Sequence, residues 1–263
     1  MSTSRSTPAL SRAAIVNRLR AAGCVFAEAE ARLLVEAATS PTALGEMVER
    51  RVAGLPLEHI VGWVDFCGLR VLVDPGVFVP RRRTALLVDR AVALAPHGAT
   101  IVDVACGSGA LGLAVATRVD RPTVHAADIE PAAVRCARRN LAPYGGHVHL
   151  GDLYAPLPPE LRERVDVLVA NVPYVPSAAV DLLPPEARIH EPLVALDGGA
   201  DGLDVLRRVA ADARDWLAPG GHLLLETSGD QVAAALDVLA GSGLDPAVAR
   251  DEELQATVVL GRR

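Results

Sequence analysis

The sequence contains no lysine, few aromatic side chains and no long apolar run. Its 26 basic residues are all arginines, and 32 acidic residues bring the net charge to -6. A chain of this charge is poorly suited to wrap nucleic acid by neutralising phosphates, so no stable nucleic-acid binding is expected. No stretch approaches the roughly 20 apolar residues needed to cross a bilayer, so no membrane association is expected either.

The sequence also lacks the residue spacings that are typical of metal sites and of disulfide frameworks. The cysteines show no CxxC spacing and no paired histidines, which argues against a disulfide framework and predicts no metal site. They are Cys24, Cys67, Cys106 and Cys136. The N-terminal segment MSTSRSTPALSR has no apolar run after its charged residues and therefore does not resemble an export signal. We expect a cytoplasmic protein with reduced cysteines, and we favour a monomer.

The first 62 residues have helical periodicity. Three segments place apolar residues at helical spacing: SRAAIVNRLRAAG, EAEARLLVEAAT and TALGEMVERRVAG. Ser11 and Thr42 are candidate N-caps, and Gly23 and Gly54 are candidate helix ends. The pattern predicts a small helical domain over residues 1–62, which we expect to recognise the substrate.

Residues 63–80 change to strand-like runs. Apolar runs lie on either side of Asp74, Pro75 and Gly76, three residues that are typical of a turn. The sequence therefore predicts a β-hairpin that links the helical domain to the rest of the chain.

Residues 81–263 alternate between apolar strands and helical segments. The strand candidates are TIVDVA, TVHAAD, HVHLGD, VDVLVAN and HLLLET. This alternation predicts an α/β domain with a parallel sheet and helices on both faces. The last two candidates, LDPAVARDEE and ATVVLGRR, lie too close in sequence for a helical crossover, so we expect an antiparallel pair there.

Four predicted strand ends carry residues suited to ligand binding, because ligands of open α/β sheets lie beyond the carboxyl ends of the strands. These ends are Ala105–Gly109, Asp128, Gly151-Asp152 and Asn171. The small residues of the first end allow close approach of a ligand, and Asp128 has the spacing of a carboxylate that binds ribose hydroxyls. Residues 107–112 also match GxGxxG, which by itself is equally compatible with a nicotinamide or flavin enzyme.

The fourth strand end continues as Asn-Val-Pro-Tyr, which resembles the NPPY motif of methyltransferases that act on planar amide or exocyclic amino nitrogens. Further segments resemble, in the same order, the protein N5-glutamine methyltransferases that modify peptide chain release factors. They are PLEHIVG, FCGLRVLVDPGVFVPR, VDVACGSGALGLA, ADIEP, GDLYAPL, EPLVALDGGADGLD and LAPGGHLLLE. The resemblance extends from about Pro56 to about Glu226, and the chain is identified as a divergent member with NVPY in place of NPPY.

This resemblance implies a Rossmann-like class I S-adenosylmethionine-dependent methyltransferase fold, with a parallel sheet, an antiparallel last strand and a helical N-terminal domain. It implies S-adenosylmethionine as cofactor, S-adenosylhomocysteine as product, and a release factor or similar protein with an exposed glutamine as partner. The implied catalytic residues are Asn171, Val172, Pro173 and Tyr174. The implied cofactor-binding residues are Ala105, Cys106, Gly107, Ser108, Gly109, Asp128, Asp152, Leu153 and Asn171.

Three departures from the family pattern bear on activity. Val172 replaces the first proline of NPPY, which keeps the backbone carbonyl but reduces the stiffness of the segment. Ala105 stands where the glycine loop of the family usually begins with glycine. The segment Arg81–Ala85 replaces one like RPETE, so it is either a solvated basic face or a sign of a different protein substrate.

Three alternatives to glutamine methylation remain open at this point. An adenine-N6 nucleic-acid methyltransferase uses similar Asn-Pro-Tyr chemistry but usually needs a basic groove, which the acidic net charge disfavours. An NAD-dependent oxidoreductase needs a hydride-transfer residue, and none is evident. A non-catalytic protein that only binds the cofactor is compatible with Val172 and the arginine run.

Overall fold

The computed structural model describes residues 10–263. The first nine residues of the predicted helical domain, which include most of the segment assessed as an export signal, lie outside this range. Four helices follow: α1 (Arg12–Ala21), α2 (Ala27–Ala37), α3 (Pro41–Val52) and α4 (Leu57–Val61). They pack around a small core that contains the fully buried Ile15, Leu19 and Leu34. The helical character predicted for this region is confirmed, and α4 is an additional short helix.

Of the two predicted helix N-caps, one is confirmed and the other is wrong. The Ser11 side chain accepts a hydrogen bond from the Ala14 amide (3.3 Å), as expected of the N-cap of α1. The prediction of Thr42 as the N-cap of α3 is wrong, because Ser40 accepts from the Ala43 amide (3.1 Å). Pro41 is the first residue of α3, and proline suits that position because its missing amide hydrogen has no acceptor there.

A hairpin follows the helices, but its turn lies earlier than predicted. Strands β1 (Trp63–Phe66) and β2 (Leu69–Leu72) pair antiparallel across Cys67 and Gly68. Both turn residues have positive φ (54° and 76°), as a two-residue hairpin loop of the I′ type requires. The prediction of the hairpin turn at residues 74–76 is therefore wrong. Those residues form a separate turn after β2, in which the Val77 amide donates to the Asp74 carbonyl (3.1 Å).

The remainder of the chain forms a seven-stranded sheet with helices on both faces. Its elements are α5 (Ala85–Leu94), β3 (Thr100–Val104), α6 (Ala110–Ala116), β4 (Thr123–Asp128), α7 (Pro131–Leu141), β5 (His147–Leu150), β6 (Val165–Ala170), α8 (Pro185–His190), α9 (Asp204–Trp216), β7 (Leu217–Glu226), α10 (Val232–Gly241), β8 (Asp245–Asp251) and β9 (Ala256–Arg262). The strand order is β5-β4-β3-β6-β7-β9-β8. Strand β9 is antiparallel to both of its neighbours, which confirms the predicted antiparallel last strand.

The central strands are buried on both faces, which explains their continuous apolar sequences. In β3, Ile101 packs into one hydrophobic core while Val102 and Val104 pack into the other. The chain order reverses at β3, which has β4 on one side and β6 on the other. This reversal opens a crevice at the carboxyl ends of these strands, where the sequence places its candidate residues. Within residues 10–263, no helix combines the length and the apolar character that crossing a membrane requires.

Candidate active site

A cleft opens at the carboxyl ends of β3 and β4. We call it the first cleft. Eight of the nine residues predicted to bind the cofactor line it: Ala105, Cys106, Gly107, Ser108, Asp128, Asp152, Leu153 and Asn171. The structure therefore brings together residues from four separate strand ends, as the rule for open α/β sheets predicts.

Gly109, the ninth predicted residue, does not line the first cleft. A Cβ atom at this position would lie 3.1 Å from the Ala137 Cβ and 3.2 Å from the Leu141 Cδ1. These distances are tighter than ordinary side-chain contacts, so the glycine allows the loop to pack closely against α7. Gly109 thus shapes the first cleft indirectly, through the packing of the loop against α7.

The loop after β3 has an unusual backbone. Ala105 has a φ of 55°, the left-handed region that glycine adopts easily and alanine does not. The Cys106 amide donates to the Ala127 carbonyl (3.0 Å), which ties the loop to the end of β4. The departure from glycine at residue 105 therefore places local strain at the edge of the first cleft.

Two buried aspartates support this loop and the helix that follows it. Asp128 is 9% exposed, and its carboxylate accepts from the amides of Gly107 (2.8 Å) and Glu130 (2.9 Å). Burial raises the pKa of Asp128, while these hydrogen bonds act in the opposite direction. Asp103 lies deeper, where it accepts from the Gly112 amide (2.9 Å), and burial raises its pKa to about 7. Asp103 thus supports α6, whereas Asp128 both supports the loop and lines the first cleft.

The polar groups of the first cleft suit a nucleoside. The Ser108 hydroxyl is buried and has no hydrogen-bond partner among residues 10–263. Asp128 and Asp152 supply carboxylate oxygens, and Leu153 and Ile129 supply apolar surface. Asp152 also forms an ion pair with Arg208 (2.5 Å). Carboxylates accept hydrogen bonds from ribose hydroxyls and adenine amino groups, so these residues fit S-adenosylmethionine.

A second cleft adjoins the first and contains the whole NVPY segment. Asn171 and Pro173 line both clefts, and Val172 and Tyr174 line the second. The two clefts therefore meet at the segment for which sequence analysis predicts catalysis.

Two acceptors at this junction are unengaged. The Asn171 side-chain nitrogen donates to the Thr84 hydroxyl (3.4 Å), an arrangement that leaves Oδ1 available. Within residues 10–263, neither Asn171 Oδ1 nor the Val172 carbonyl accepts a hydrogen bond. The Val172 side chain is 1% exposed and packs into a hydrophobic core. The residue thus anchors the segment by its side chain.

A glycine-rich segment supports NVPY from behind. The Val175 amide donates to the Leu196 carbonyl (3.1 Å), and the Gly198 amide donates to the Val175 carbonyl (2.8 Å). A Cβ atom on Gly198 would lie 2.7 Å from the Pro173 carbonyl, so only glycine fits. The Gln231 side chain donates to the Tyr174 carbonyl (2.9 Å). The motif is therefore held along its backbone by neighbouring loops.

Two buried glutamates, Glu226 and Glu191, are not among the site residues that the sequence predicts. The Tyr174 hydroxyl donates to Glu226 Oε1 (3.0 Å), and Glu226 is 2% exposed. Burial, together with this neighbouring carboxylate, raises the pKa of Tyr174. Glu191 is 6% exposed and accepts from the Val79 amide (3.2 Å). Glu226 ends the apolar run of β7, so the rule that selected the other strand ends applies to it as well.

The arginine run pairs with these glutamates. Arg81 forms an ion pair with Glu191 (2.6 Å), and Arg83 forms one with Glu226 (3.3 Å). Arg82 is exposed and forms no ion pair within residues 10–263. A purely solvated face therefore describes Arg82, whereas Arg81 and Arg83 are partly exposed and each pairs with a buried carboxylate.

Comparison with known proteins is consistent with this geometry. Residues 68–190 match the family model of the methyltransferase small domain. The chain is 38% identical over 219 residues to a release factor glutamine methyltransferase of Geobacter sulfurreducens, covering 82% of this chain and 76% of that protein. It is 37% identical over 233 residues to a release factor glutamine methyltransferase of Xylella fastidiosa, covering 86% and 83% of the two chains.

The chain belongs to the family of release factor glutamine methyltransferases. A methyltransferase from Pyrococcus furiosus shares its fold, with a TM-score of 0.56 at 16% identity over 74% of this chain and 89% of that one. The predicted class I methyltransferase fold is confirmed, and the family uses S-adenosylmethionine as methyl donor. For this methyltransferase, the oxidoreductase interpretation of the GxGxxG match is thereby excluded.

Proposed function

We propose that this methyltransferase transfers a methyl group to the side-chain amide nitrogen of a glutamine in a peptide chain release factor. S-adenosylhomocysteine and one proton, which the amide nitrogen loses as it gains the methyl group, are then the other products. The observation that carries the proposal is the junction of the two clefts at Asn171 and Pro173. Methyl donor in the first cleft and glutamine in the second would meet there, beside two unengaged acceptors.

An amide nitrogen needs such a site because its lone pair is delocalised into the carbonyl. In this proposal Asn171 Oδ1 accepts one N–H of the substrate amide, and the Val172 carbonyl accepts the other. Two fixed acceptors orient the nitrogen and stabilise the positive charge that develops there as the new N–C bond forms. The Tyr174 ring lines the second cleft, where it packs on the flat amide and excludes water.

The first cleft supplies the residues for the cofactor. We assign the ribose hydroxyls to Asp128 and the adenine to Asp152 and Leu153, with Ala105–Ser108 against the remainder of the molecule. When bound, S-adenosylmethionine supplies an electrophilic methyl group on a sulfonium. The side chains of NVPY then have only to orient the acceptor nitrogen.

The helical region is the proposed recognition domain, with bounds at residues 1–62, a hairpin linker at 63–80 and the methyltransferase domain at 81–263. Arg51 on α3 pairs with Glu30 (2.6 Å) and with Glu186 of α8 (3.4 Å). Glu186 lines the second cleft. A protein bound to the helical domain would therefore lie next to the proposed glutamine site.

Radiolabelled methyl transfer tests this proposal. The protein is incubated with labelled S-adenosylmethionine and, separately, with release factor, with DNA or with neither. We expect label in the release factor alone, and binding of S-adenosylmethionine but not NAD by calorimetry. Label in DNA would support the adenine methyltransferase. Normal cofactor binding without transfer to the release factor would support a different target or a non-catalytic protein.

A further inference from the structure

Three side chains of the segment Arg81–Thr84 form polar contacts at the second cleft, which Arg81 and Arg83 line. Arg81 pairs with Glu191, Arg83 pairs with Glu226, and Thr84 accepts from the Asn171 amide. We call Arg81, Arg83 and Thr84 the clamp. Arg82 lies between them, is exposed, and does not belong to the clamp.

The NVPY segment has one feature that calls for such support. A proline at position 172 would restrict the backbone of both residue 172 and Asn171, because a residue before proline is confined to extended conformations. Valine confines only its own side chain and leaves the backbone of Asn171 free of that restriction. The orientation of Asn171 must then come from contacts outside the segment.

Arg83 has the geometry to provide part of this orientation. Its Nε lies 3.3 Å from Glu226 Oε1, the same oxygen that accepts from the Tyr174 hydroxyl at 3.0 Å. The guanidinium carbon lies 5.9 Å from the centre of the Tyr174 ring. Glu226 is buried, so a single buried carboxylate oxygen joins Arg83 to the Tyr174 hydroxyl. The ring belongs to the same short segment as Asn171.

We propose that Arg83 is a positioning residue for methyl transfer, which holds Tyr174 through Glu226 and thereby offsets the backbone freedom that Val172 leaves at Asn171. This inference rests on the proposed function, since it concerns the orientation of the same motif. It also gives the arginine run a role inside the site, in addition to any contact with the substrate.

The first test compares Arg83→Ala with Arg82→Ala in the full-length protein. Misplacement of a reacting group by about 1 Å can cost a hundredfold in rate, so we expect Arg83→Ala to lower kcat roughly tenfold to a hundredfold. The KM for S-adenosylmethionine should change little, because Arg83 does not line the first cleft. Arg82→Ala is the matched control and should resemble wild type. Thermal unfolding of both variants shows whether the fold persists.

The second test combines Arg83→Ala with Val172→Pro. If stiffness at position 172 and the Arg83 contact serve the same end, proline should restore a substantial part of the kcat lost in Arg83→Ala. The kcat of Val172→Pro alone is the reference for the effect of Arg83→Ala in that background. An equal effect of Arg83→Ala on kcat in both backgrounds would overturn the proposal, as would a kcat of Arg83→Ala equal to wild type.

A spectroscopic test separates the clamp from the proposed reaction. The chain has only three asparagines, Asn17, Asn140 and Asn171, so selective 15N labelling gives a simple side-chain amide spectrum. We expect Arg83→Ala to shift or broaden the Asn171 signals and to leave those of Asn140 unchanged. An unchanged Asn171 signal would contradict the clamp. Suppose that wild type does not methylate release factor, but Arg83→Ala still shifts the Asn171 signals relative to wild type. The proposed function would then fail, and the clamp would be supported.

Discussion

The two clefts are built by different means. The loop of the first cleft is shaped mainly by backbone: Ala105 in a left-handed conformation and two amides bound to Asp128. The segment of the second cleft also has backbone hydrogen bonds to neighbouring loops, but it depends in addition on side chains far apart in sequence, with Arg83 and Tyr174 meeting on the buried Glu226. Backbone geometry tolerates changes in side-chain identity, whereas ion pairs between distant residues require both partners. The second cleft should therefore be the more sensitive of the two to single substitutions.

Asn171→Ala should have the largest effect. It removes the proposed acceptor for one substrate N–H, and loss of one such preorganised group typically costs about 10²–10³ in kcat. Its effect on stability should be small, because Asn171 lies at a cleft and its side chain forms a single, long hydrogen bond with the residues that the structure describes. Steady-state methyl transfer and thermal unfolding measure the two quantities. Asn17→Ala on the exposed face of α1 is the control. Equal activity of Asn171→Ala and wild type would show that NVPY is a turn without a catalytic role.

Asp128→Ala should have the second largest effect, which is a loss of affinity for the cofactor. Loss of charge-assisted hydrogen bonds to ribose should weaken S-adenosylmethionine binding by roughly 1.5–3 kcal/mol, about tenfold or more. Calorimetry on the variant and on Asp237→Ala, an exposed aspartate of α10, measures this difference. Wild-type affinity in Asp128→Ala would show that the carboxylate serves the loop alone.

Ala105→Gly should stabilise the fold. Relief of the left-handed conformation is worth roughly 1–2 kcal/mol, and the greater freedom of glycine in the unfolded chain removes part of it, which leaves about 0.5–1 kcal/mol. The free energy of unfolding in denaturant measures the change. Ala13→Gly in α1 is the control with the opposite sign, since glycine in a helix is destabilising. Destabilisation by Ala105→Gly would mean that strain at this loop is absent.

Val172→Pro should have the smallest effect. The Val172 amide donates no backbone hydrogen bond within residues 10–263, so proline removes none. The carbonyl is retained and the side chain remains apolar, so we expect kcat within about twofold of wild type. A loss as large as that of Asn171→Ala would show that the buried valine side chain itself sets the geometry of the second cleft.

The sequence predicts more features of the first cleft than of the second, because the two clefts depend on different kinds of contact. The strands and the residues at their ends follow from local apolar patterns, which place Asp128 and Asn171 at the carboxyl edge of the sheet. Only a close approach in three dimensions shows that Gly109 faces α7 and does not line the first cleft. At the hairpin, Cys67 adopts a positive φ that is rare for a residue with a side chain, so no turn signal marked it.

The ion pairs of the second cleft cannot be predicted from local sequence patterns. Arg81 and Glu191 lie 110 residues apart, and no spacing rule connects them. The arginine run therefore suggested either solvent or substrate as its neighbour. Only the fold shows that Arg81 and Arg83 each face a buried carboxylate.

The central claim is that the junction of the clefts orients a glutamine amide nitrogen. Tandem mass spectrometry of release factor after reaction with wild type and with Asn171→Ala tests it most directly, because it locates the added methyl group. We predict one methyl on a glutamine side-chain nitrogen with wild type and almost none with Asn171→Ala. A methyl group on another residue type, or equal methylation by both proteins, would contradict the claim.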